Sequence, residues 1–380
     1  MKTNKKSNTM DSKTLKALTI GGATIDTIID YEEMFTMDMR KKESTQSYML
    51  LEEGAKIEVK EHNSFTGGGA TNAAVSLRKQ SIDVSFFGKI GKDIAGQKIL
   101  DELKSFDIDV SNVRYSNTYG TSTSYVIPSL NGDRTIFAYR GANKDILTDD
   151  LPSHAIKDSD FIYITSLSKS SAARLPEIVS IAAKNNVKVA INPGSSQLNI
   201  GESFIKDSMF GLDIMVMNYQ EANKLMLSLL STDDSEVVGF RKDIDGSLLE
   251  SSSGILQDSS FRLKDFFELC LNLGPRIVVV TDGENGVYAA TKENLYHAKA
   301  IHIDNVVNTL GAGDAFSSTF CANIYKGSEI KDALKSALIN SSNVIQYPDA
   351  KTGLQTQEDI NIQKNKIKDV LDDNFKTIFW

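Results

Sequence analysis

The stretch NTLGAGDAF, at Asn308–Phe316, combines a glycine turn with the start of a helix. Its two glycines let backbone N–H groups approach a ligand closely, and the free N–H groups at a helix start attract anions. Asp314 stands in the first turn, where the helix dipole favours its ionised form and where it can take a proton from a hydroxyl. A glycine turn before an acidic helix start is also ordinary structure in α/β proteins, so the rest of the chain must decide.

The composition of the 380-residue chain is that of a globular protein, with 41% hydrophobic and 24% charged residues. Because no apolar run could cross a bilayer and the N-terminus lacks the apolar segment of a secretion signal, we expect a cytoplasmic protein without a membrane partner. The net charge of −8 argues against nucleic acid as a partner but allows a small anion in a local pocket. Cys270 and Cys321 lack metal-ligand spacing, so buried free thiols are expected.

Short apolar runs alternate with amphipathic segments along most of the chain. The predicted strands are 15–21, 84–88, 161–165, 187–192, 214–218 and 277–281, and the predicted helices are 70–80, 95–106, 171–185, 220–230, 314–325 and 329–345. This order predicts an α/β fold with a mostly parallel central sheet covered by helices on both faces. Ligands bind such a sheet beyond the carboxyl ends of its strands.

Two β-rich stretches, 27–63 and 113–140, interrupt the alternation, and the second contains a hairpin signal at 130–133. We expect them to form one small sheet, a lid that excludes water from the mouth of the site. The Ser- and Asp-rich segment 228–260 has no sustained period and is predicted to be a surface insertion. The segment 358–371 is predicted to be a polar helix on the outside of a single domain that spans 1–380.

Three glycines, Gly67–Gly69, stand directly before a helix of small residues. They serve a tight turn alone, or they also turn backbone N–H groups toward a ligand. Asn72, in the following helix, offers a donor and an acceptor to a sugar hydroxyl. Farther upstream, Asp26 follows the first strand, where its carboxylate can accept hydrogen bonds from two neighbouring hydroxyls or can be a solvated turn residue.

Two further motifs follow later strands. Asn218 and Glu221 are three residues apart at a helix start, a pattern that suits a hydrated Mg²⁺ beside substrate phosphates and equally suits a helix cap. The segment TDGENG, at 281–286, joins two strands through a glycine turn. Its amides and hydroxyl would suit a nucleotide, although a plain hairpin explains the same sequence.

The order of these motifs is more specific than any one of them. An acid after the first strand, a triple-glycine helix start, Asn-x-x-Glu, Thr-x-Gly-x-x-Gly and Gly-Ala-Gly-Asp follow one another. Over residues 15–354 the chain resembles the PfkB, or ribokinase-like, carbohydrate kinases. The segment 67–74 resembles the first signature of that family and Asn308–Phe316 resembles the second, with further matches at 140–143, 192–194, Asn340 and 350–354.

The resemblance implies an ATP-dependent kinase that transfers the γ-phosphate to a hydroxyl of a sugar or nucleoside. It assigns the catalytic base to Asp314 and the anion hole to Gly311, Ala312 and Gly313. It assigns the acceptor to Asp26, Gly68, Asn72 and Asn143, and the nucleotide side to Asn218, Thr281, Gly283, Gly286, Asn340 and Asn343. It assigns Mg²⁺, bound through water, to Glu221.

One position departs from the family pattern. The second signature usually begins with Asp, which in relatives helps to hold a monovalent cation such as K⁺ near the anion hole, and this chain has Asn308 there. An amide keeps an oxygen ligand but loses the negative charge.

Several functions compete at this level. The absence of Lys from 67–74 favours an uncharged acceptor such as ribose or adenosine, whereas Arg140 on the expected lid keeps a phosphosugar kinase in play. Asn308 and the acidic insertion would also fit a pseudokinase that senses a sugar. The presence of the expected base, Asp314, argues against a pseudokinase. A nucleotide-dependent oxidoreductase should carry Gly-x-Gly-x-x-Gly after the first strand, but the chain has GGATID at 21–26. Lid strands in this family often pair between subunits, so the resemblance implies a homodimer through the lid, although exposed lid edges could equally be capped within one chain.

Overall fold

The computed structural model describes residues 14–30, 35–41, 44–128, 134–201, 204, 207–231, 254–256, 259–261 and 263–379. The hairpin turn predicted at 130–133 and most of the insertion predicted at 228–260 lie outside these residues. None of the helices in the described part of the chain is both long and apolar enough to cross a membrane.

Strands and helices alternate much as the apolar runs predict. The strands are β1 (Lys16–Ile20), β2 (Thr24–Asp30), β3 (Phe35–Lys41), β4 (Ser44–Leu50), β5 (Glu61–Gly67), β6 (Asp83–Phe87), β7 (Lys89–Ile90), β8 (Arg114–Tyr115), β9 (Ser122–Pro128), β10 (Arg134–Tyr139), β11 (Phe161–Ile164), β12 (Lys188–Ile191), β13 (Ile214–Asn218), β14 (Gly254–Leu256), β15 (Ser259–Phe261), β16 (Ile277–Thr281), β17 (Val287–Ala290), β18 (Asn294–Ala298) and β19 (Phe375–Phe379). The helices are α1 (Gly69–Lys79), α2 (Ile94–Ser105), α3 (Ser153–Lys157), α4 (Leu175–Lys184), α5 (Ser195–Leu198), α6 (Tyr219–Ser231), α7 (Leu263–Leu273), α8 (Ala312–Tyr325), α9 (Ile330–Val344), α10 (Gln357–Lys366) and α11 (Lys368–Asp373).

The main sheet has nine strands in the order β19-β18-β17-β16-β13-β12-β11-β1-β6. Its strands from β16 to β6 run parallel, and β17, β18 and β19 are antiparallel additions at one edge. Successive residues of a strand point to opposite faces. Accordingly, Ile277 and Val279 pack with α1, α8 and α9, whereas Val278 and Val280 pack with α4, α6 and α7. The predicted α/β fold with helices on both faces is confirmed.

A second sheet, here named the lid, has four strands in the order β10-β9-β2-β5. Its role as a lid stays a prediction. Strand β2 is antiparallel to β5 and parallel to β9, so both β-rich stretches of the sequence contribute to it. Parts of those stretches lie elsewhere. Within 27–63, β3 and β4 pair with each other, and within 113–140, β8 pairs with β7.

Two segments differ from the sequence-based expectation. The helix expected at 171–185 is a 3₁₀ helix, Lys169–Arg174, followed by α4, because Pro176 occupies the first turn of α4 and favours a new helix start there. The single tail helix expected at 358–371 is two helices, α10 and α11, of which Ile360 and Leu371 are buried against Ile339. The tail then returns to the main sheet as β19, a strand that the sequence reading missed.

Candidate active site

The start of α8 forms a turn that is closed on one side and open on the other. Gly311 caps the helix in the left-handed region, with φ of 81°. A Cβ on Gly311 would lie 2.3 Å from the Cβ of Ala350, so the turn is packed tightly against the loop that follows α9. A Cβ on Gly313 would meet no described atom within 4 Å. The Ala312 N–H donates to the Thr309 carbonyl at 3.4 Å. The open space at Gly313 leaves room for an anion beside this helix start, where N–H groups lack partners within the helix.

Asp314, in the first turn of α8, contacts the helix that follows the triple glycine. The Nδ2 atom of Asn72 in α1 donates a hydrogen bond to Asp314 Oδ2 at 2.8 Å. Asn72 is only 5% exposed, and its Oδ1 atom has no hydrogen-bond partner among the described residues. The two signature segments, 242 residues apart in the chain, thus meet at one carboxylate and leave one buried acceptor atom beside it.

The electrostatic surroundings of Asp314 are mixed. Burial raises the pKa of the Asp314 carboxyl, the hydrogen bond from Asn72 lowers it, the charge of Asp26 raises it and the charge of Lys351 lowers it. Desolvation has the largest effect, so the pKa lies above the ordinary value for aspartate. A carboxylate with a raised pKa is a better proton acceptor than a solvated one.

Asp26, on lid strand β2, is the second acid of the site. Ser124 on β9 donates from its Oγ to Asp26 Oδ1 at 2.5 Å. A Cβ on Gly67 would lie 2.0 Å from Asp26 Oδ2, so only glycine leaves room for this carboxylate. Burial raises the pKa of Asp26, and the hydrogen bond from Ser124 and the charges of Lys351 and Arg140 oppose that rise.

The glycine that follows also has a steric reason. Gly68 has φ of 99°, and a Cβ there would lie 2.5 Å from the carbonyl oxygen of Gly22. The triple glycine therefore brings the loop after β1 and the start of α1 into direct contact.

Asn143 lies beneath the lid and bonds to the protein itself. Its Oδ1 accepts from the N–H of Ala23 at 3.1 Å, and its Nδ2 donates to the carbonyl of Ala23 at 3.0 Å. Asn143 therefore fixes the chain just before β2. Its predicted contact with an acceptor stays a prediction, and its observed bonds position the strand that carries Asp26.

Asn218 and Glu221 form a reciprocal helix cap at the start of α6. The N–H of Glu221 donates to Asn218 Oδ1 and the N–H of Asn218 donates to Glu221 Oε2, both at 2.9 Å. Burial raises the pKa of Glu221, and the charge of Asp314 raises it further. The capping interpretation of this pair is thus observed, and the carboxylate also lies within electrostatic reach of the catalytic candidate.

The segment 281–286 lies beside this cap. Thr281 ends β16 opposite Asn218 in the parallel ladder. Gly283 and Gly286 have φ of 53° and 100°. A Cβ on Gly286 would lie 2.1 Å from the carbonyl oxygen of Ala298, so the turn is folded closely onto β18.

The two late asparagines have their amides bonded within the protein. Asn340 is fully buried, with Nδ2 donating to Thr319 Oγ1 at 2.7 Å and Oδ1 accepting from the N–H of Gln355 at 2.8 Å. Asn343 donates to the carbonyl of Ile339 and to Gln363 Oε1, each at 2.8 Å. Both side chains fasten α9 to its neighbours, and their contact with a nucleotide stays a prediction.

Asn308 closes the loop before the anion hole. Its Nδ2 donates to the carbonyl of Pro348 at 2.9 Å and its Oδ1 accepts from the N–H of Leu310 at 3.0 Å. The lid reaches the same loop, because Arg134 on β10 donates to the hydroxyl of Thr309.

Three residues at the site were missed by the sequence reading: Ser124, Arg134 and Lys351. Ser124 and Arg134 lie in the predicted lid, where an alternating β pattern does not say which face meets the site. Lys351 lies in the matched segment 350–354, but its bonding partners are 249 and 285 residues away in the chain. No group of three His, Cys, Asp or Glu side chains suited to hold a metal ion occurs in the part of the chain that the structure describes.

Several known proteins are similar to this chain in sequence and in fold. The model of the pfkB family carbohydrate kinases matches residues 23–242 and 253–357. The ribokinase of Staphylococcus aureus is 26% identical over 315 residues, covering 81% of this chain and 91% of that protein. An ATP-dependent ribose-1-phosphate kinase of Halopiger xanaduensis is 24% identical over 76% of this chain and 83% of its own length. The fold matches Arabidopsis thaliana ribokinase, solved with ribose and ATP, with a TM-score of 0.68, 19% identity and coverage of 92% and 98%.

The family model and the kinases that the chain resembles show a phosphotransferase with an alcohol group as acceptor. The chain belongs to the PfkB family of carbohydrate kinases.

Proposed function

We propose that the chain transfers the γ-phosphoryl group of ATP to a hydroxyl of an uncharged sugar of the ribose type or of a nucleoside of the adenosine type. The observation that carries this proposal is the 2.8 Å contact between Asn72 and Asp314. It joins the acceptor-side helix to the helix of the anion hole, so one carboxylate borders both substrates. The likeness to Staphylococcus aureus ribokinase supports the same conclusion.

The chemistry follows from the position of three groups. Asp26 accepts a hydrogen bond from one acceptor hydroxyl and Asn72 Oδ1 accepts from a neighbouring one. Asp314 takes the proton of the attacking hydroxyl while the new O–P bond forms and the bond from the γ-phosphorus to the β–γ bridging oxygen breaks. The products are a phosphorylated acceptor and ADP.

The backbone stabilises the charge that develops on the transferring group. N–H groups at Gly311, Ala312 and Gly313 are fixed by the left-handed cap and by packing on Ala350 before any ligand binds. Donors fixed in advance need no reorganisation during the reaction, which makes them effective in a site that excludes water. The lid sheet supplies that exclusion.

Magnesium would be held at Glu221. Its carboxylate is partly buried, and both burial and Asp314 raise its pKa, so a cation here relieves an unfavourable pair of charges. With one protein carboxylate, the remaining ligands would be waters and nucleotide phosphates, which is the usual arrangement for Mg²⁺. When bound, the ion neutralises phosphate charge. A K⁺ ion near Asn308 would have only a neutral amide oxygen there, and that oxygen already accepts the Leu310 N–H, so we expect weak K⁺ binding.

A phosphosugar kinase is the second candidate. Two arginines of the lid favour it, Arg134 beside Thr309 and Arg140 within electrostatic reach of Asp26. The relative from Halopiger xanaduensis is named for a phosphorylated acceptor. The triple-glycine segment carries no lysine, and for that reason we rank the uncharged acceptor first.

The lid also suggests a homodimer. Tyr125 and Phe137 oppose each other on β9 and β10 and are 49% and 52% exposed. Large aromatic side chains on an accessible sheet face favour burial against a partner. Pairing of two lids is therefore our proposal for the assembly.

A substrate panel tests the proposed function. ADP release is measured with ATP and Mg²⁺ on ribose, other pentoses and hexoses, adenosine, ribose 1-phosphate and fructose 6-phosphate. We expect release with an uncharged acceptor and a fall of about 10²–10⁴-fold in kcat for Asp314→Asn, because the general base is lost. Release only with phosphorylated sugars would select the second candidate. Sugar binding without turnover in either protein would make the chain a sensor and refute the kinase.

A further inference from the structure

A buried lysine lies behind the two acids of the site. Lys351 is 5% exposed, and its Nζ donates to Thr66 Oγ1 at 2.7 Å, to the Thr66 carbonyl at 3.1 Å and to Glu102 Oε2 at 2.5 Å. An ammonium group has three donors, so this environment satisfies it fully. The Lys351 ammonium has no direct part in the proposed transfer of the phosphoryl group.

The turn that carries Lys351 touches both halves of the site. Thr66 is the residue before the triple glycine and lies opposite Ile25 on β2, next to Asp26. The neighbouring Ala350 packs against Gly311, the cap of the anion hole. Asp349 holds the turn itself, since its Oδ1 accepts from the N–H groups of Lys351 and Thr352 at 2.7 and 2.8 Å. One short turn therefore joins the acceptor strand β5 to the phosphate loop.

The charge of Lys351 reaches both acids. It lowers the pKa of Asp26 and of Asp314, against the rise that burial causes in each. Burial lowers the pKa of Lys351 itself, and Glu102, Asp349 and Asp26 raise it. Three other charged groups interact with the two acids: Arg140 from the lid with Asp26, Asp26 itself with Asp314, and Glu221 at the start of α6 with Asp314.

We propose that Lys351 is a positioning residue of the active site, whose buried ammonium ties β5 to the anion-hole loop and supplies the counter-charge that keeps Asp26 and Asp314 ionised. The proposal rests on the proposed kinase function for its purpose. The effect of the Lys351 charge on the ionisation of Asp26 and Asp314 can be measured without turnover.

The structure provides a matched pair of variants. Lys351→Met keeps most of the length of the side chain and removes the positive charge. Glu102→Gln removes the negative charge from the same ion pair and keeps the lysine. Replacing a buried ion of a pair often costs stability through the partner left behind, so each variant disturbs the same cluster. Lys351→Arg restores the charge in a different shape. If Lys351 only held the fold together, Lys351→Met, Glu102→Gln and Lys351→Arg would all lose stability and would not differ in the titration of the two acids.

Carboxyl titration distinguishes a counter-charge for the two acids from a purely structural role of Lys351. The protein is labelled with ¹³C at the aspartate side-chain carboxyls, and the signals of Asp26 and Asp314 are assigned from Asp26→Asn and Asp314→Asn. In Lys351→Met we expect both titration midpoints to move to higher pH. In Glu102→Gln we expect them to stay or to move to lower pH, since one negative charge is gone. Lys351→Arg should return them toward wild type.

Midpoints that do not move in Lys351→Met, or that move in the same direction in Glu102→Gln, would overturn the proposal. If Lys351→Met does not fold, Lys351→Gln takes its place in the same titration, because it also removes the charge and can still hydrogen-bond to Thr66.

Kinetics adds a second readout. In Lys351→Met more of the Asp314 base should be protonated, and therefore inactive, at pH 6 than in the wild type. The ratio of kcat at pH 8 to kcat at pH 6 should therefore rise, while the KM for ATP stays within about twofold. If the wild-type chain phosphorylates no acceptor, the proposed function fails, and the carboxyl titration still tests Lys351 separately.

Discussion

The proposed acceptor side and the proposed nucleotide side of the site are built differently. On the acceptor side, polar side chains face one another across the opening: Asp26, Asn72 and Asp314 lie on three elements, and the Asn72 Oδ1 atom is left without a described partner. On the nucleotide side, the amides of Asn340 and Asn343 are bonded to neighbouring helices and loops. The other groups assigned to that side are Asn218, which caps α6, Thr281 at the end of β16, and the backbone of glycine turns.

This difference indicates how each substrate is recognised. A sugar presents hydroxyls in a fixed pattern, and such a pattern is distinguished by side-chain donors and acceptors that are costly to leave unpaired. A polyphosphate presents charge, which backbone N–H groups at turns and helix starts can bind without any particular side chain. Substitutions on the two sides should therefore change different kinetic constants.

Among substitutions that leave Asp314 in place, the largest effect is expected from Gly311→Ala. The new Cβ would meet Ala350 at 2.3 Å, so the cap must shift and the N–H groups lose their common direction. We expect kcat to fall about 10²–10³-fold, the cost of losing one donor of an anion hole.

Gly327→Ala is the control for this substitution. Gly327 has φ of 88°, similar to Gly311, but a Cβ there meets no described atom within 4 Å. Both variants should lose stability by roughly 1–2 kcal/mol from the left-handed backbone, and only Gly311→Ala should lose kcat. Equal kcat in the two variants would show that the backbone at Gly311 does not contribute to catalysis.

A smaller effect is expected from Asp26→Asn on the acceptor side. Loss of a charged hydrogen-bond acceptor is worth about 1.5–3 kcal/mol, or about 10–100-fold in the KM for the acceptor. The KM for ATP should change less than twofold. Asp83→Asn, at an exposed strand start, is the control. A larger change in the KM for ATP than for the acceptor would reverse the assignment of the two sides.

The smallest effect on catalysis is expected from Asn340→Ser. The substitution breaks the links to Thr319 and Gln355, so we expect urea unfolding to show a loss of about 1–3 kcal/mol with the KM for ATP unchanged. Asn361→Ser, on the exposed face of α10, should be close to neutral. A tenfold rise in the KM for ATP at unchanged stability would show that the nucleotide side does use this side chain.

The sequence predicted the parts of the fold that local pattern determines. Buried strands such as Ile277–Thr281 form uninterrupted apolar runs, and glycine with an acid marks the start of α8. β19 was missed, because a short edge strand after two polar helices carries little periodic signal. The break before α4 was missed although Pro176, in the first turn of that helix, marks it in the sequence.

Within the site, the sequence identified candidate residues but not their partners. The contact of Asn72 with Asp314 and that of Lys351 with Thr66 depend on chain packing across 242 and 285 residues. Whether an asparagine faces a ligand or bonds to its own protein is also decided by packing. For that reason Asn340 and Asn72 look alike in sequence and differ in the structure.

The pH dependence of kcat/KM for the acceptor tests the central claim most directly. Asp314 must be ionised to take the proton, and burial and Asp26 raise its pKa, so activity should fall as the pH drops through a value above the ordinary range for aspartate. Activity should be constant at higher pH until another group titrates, and this acid limb should be absent from the residual activity of Asp314→Asn. An acid limb at or below the ordinary aspartate value, or the same limb in Asp314→Asn, would contradict the assignment of Asp314 as the base.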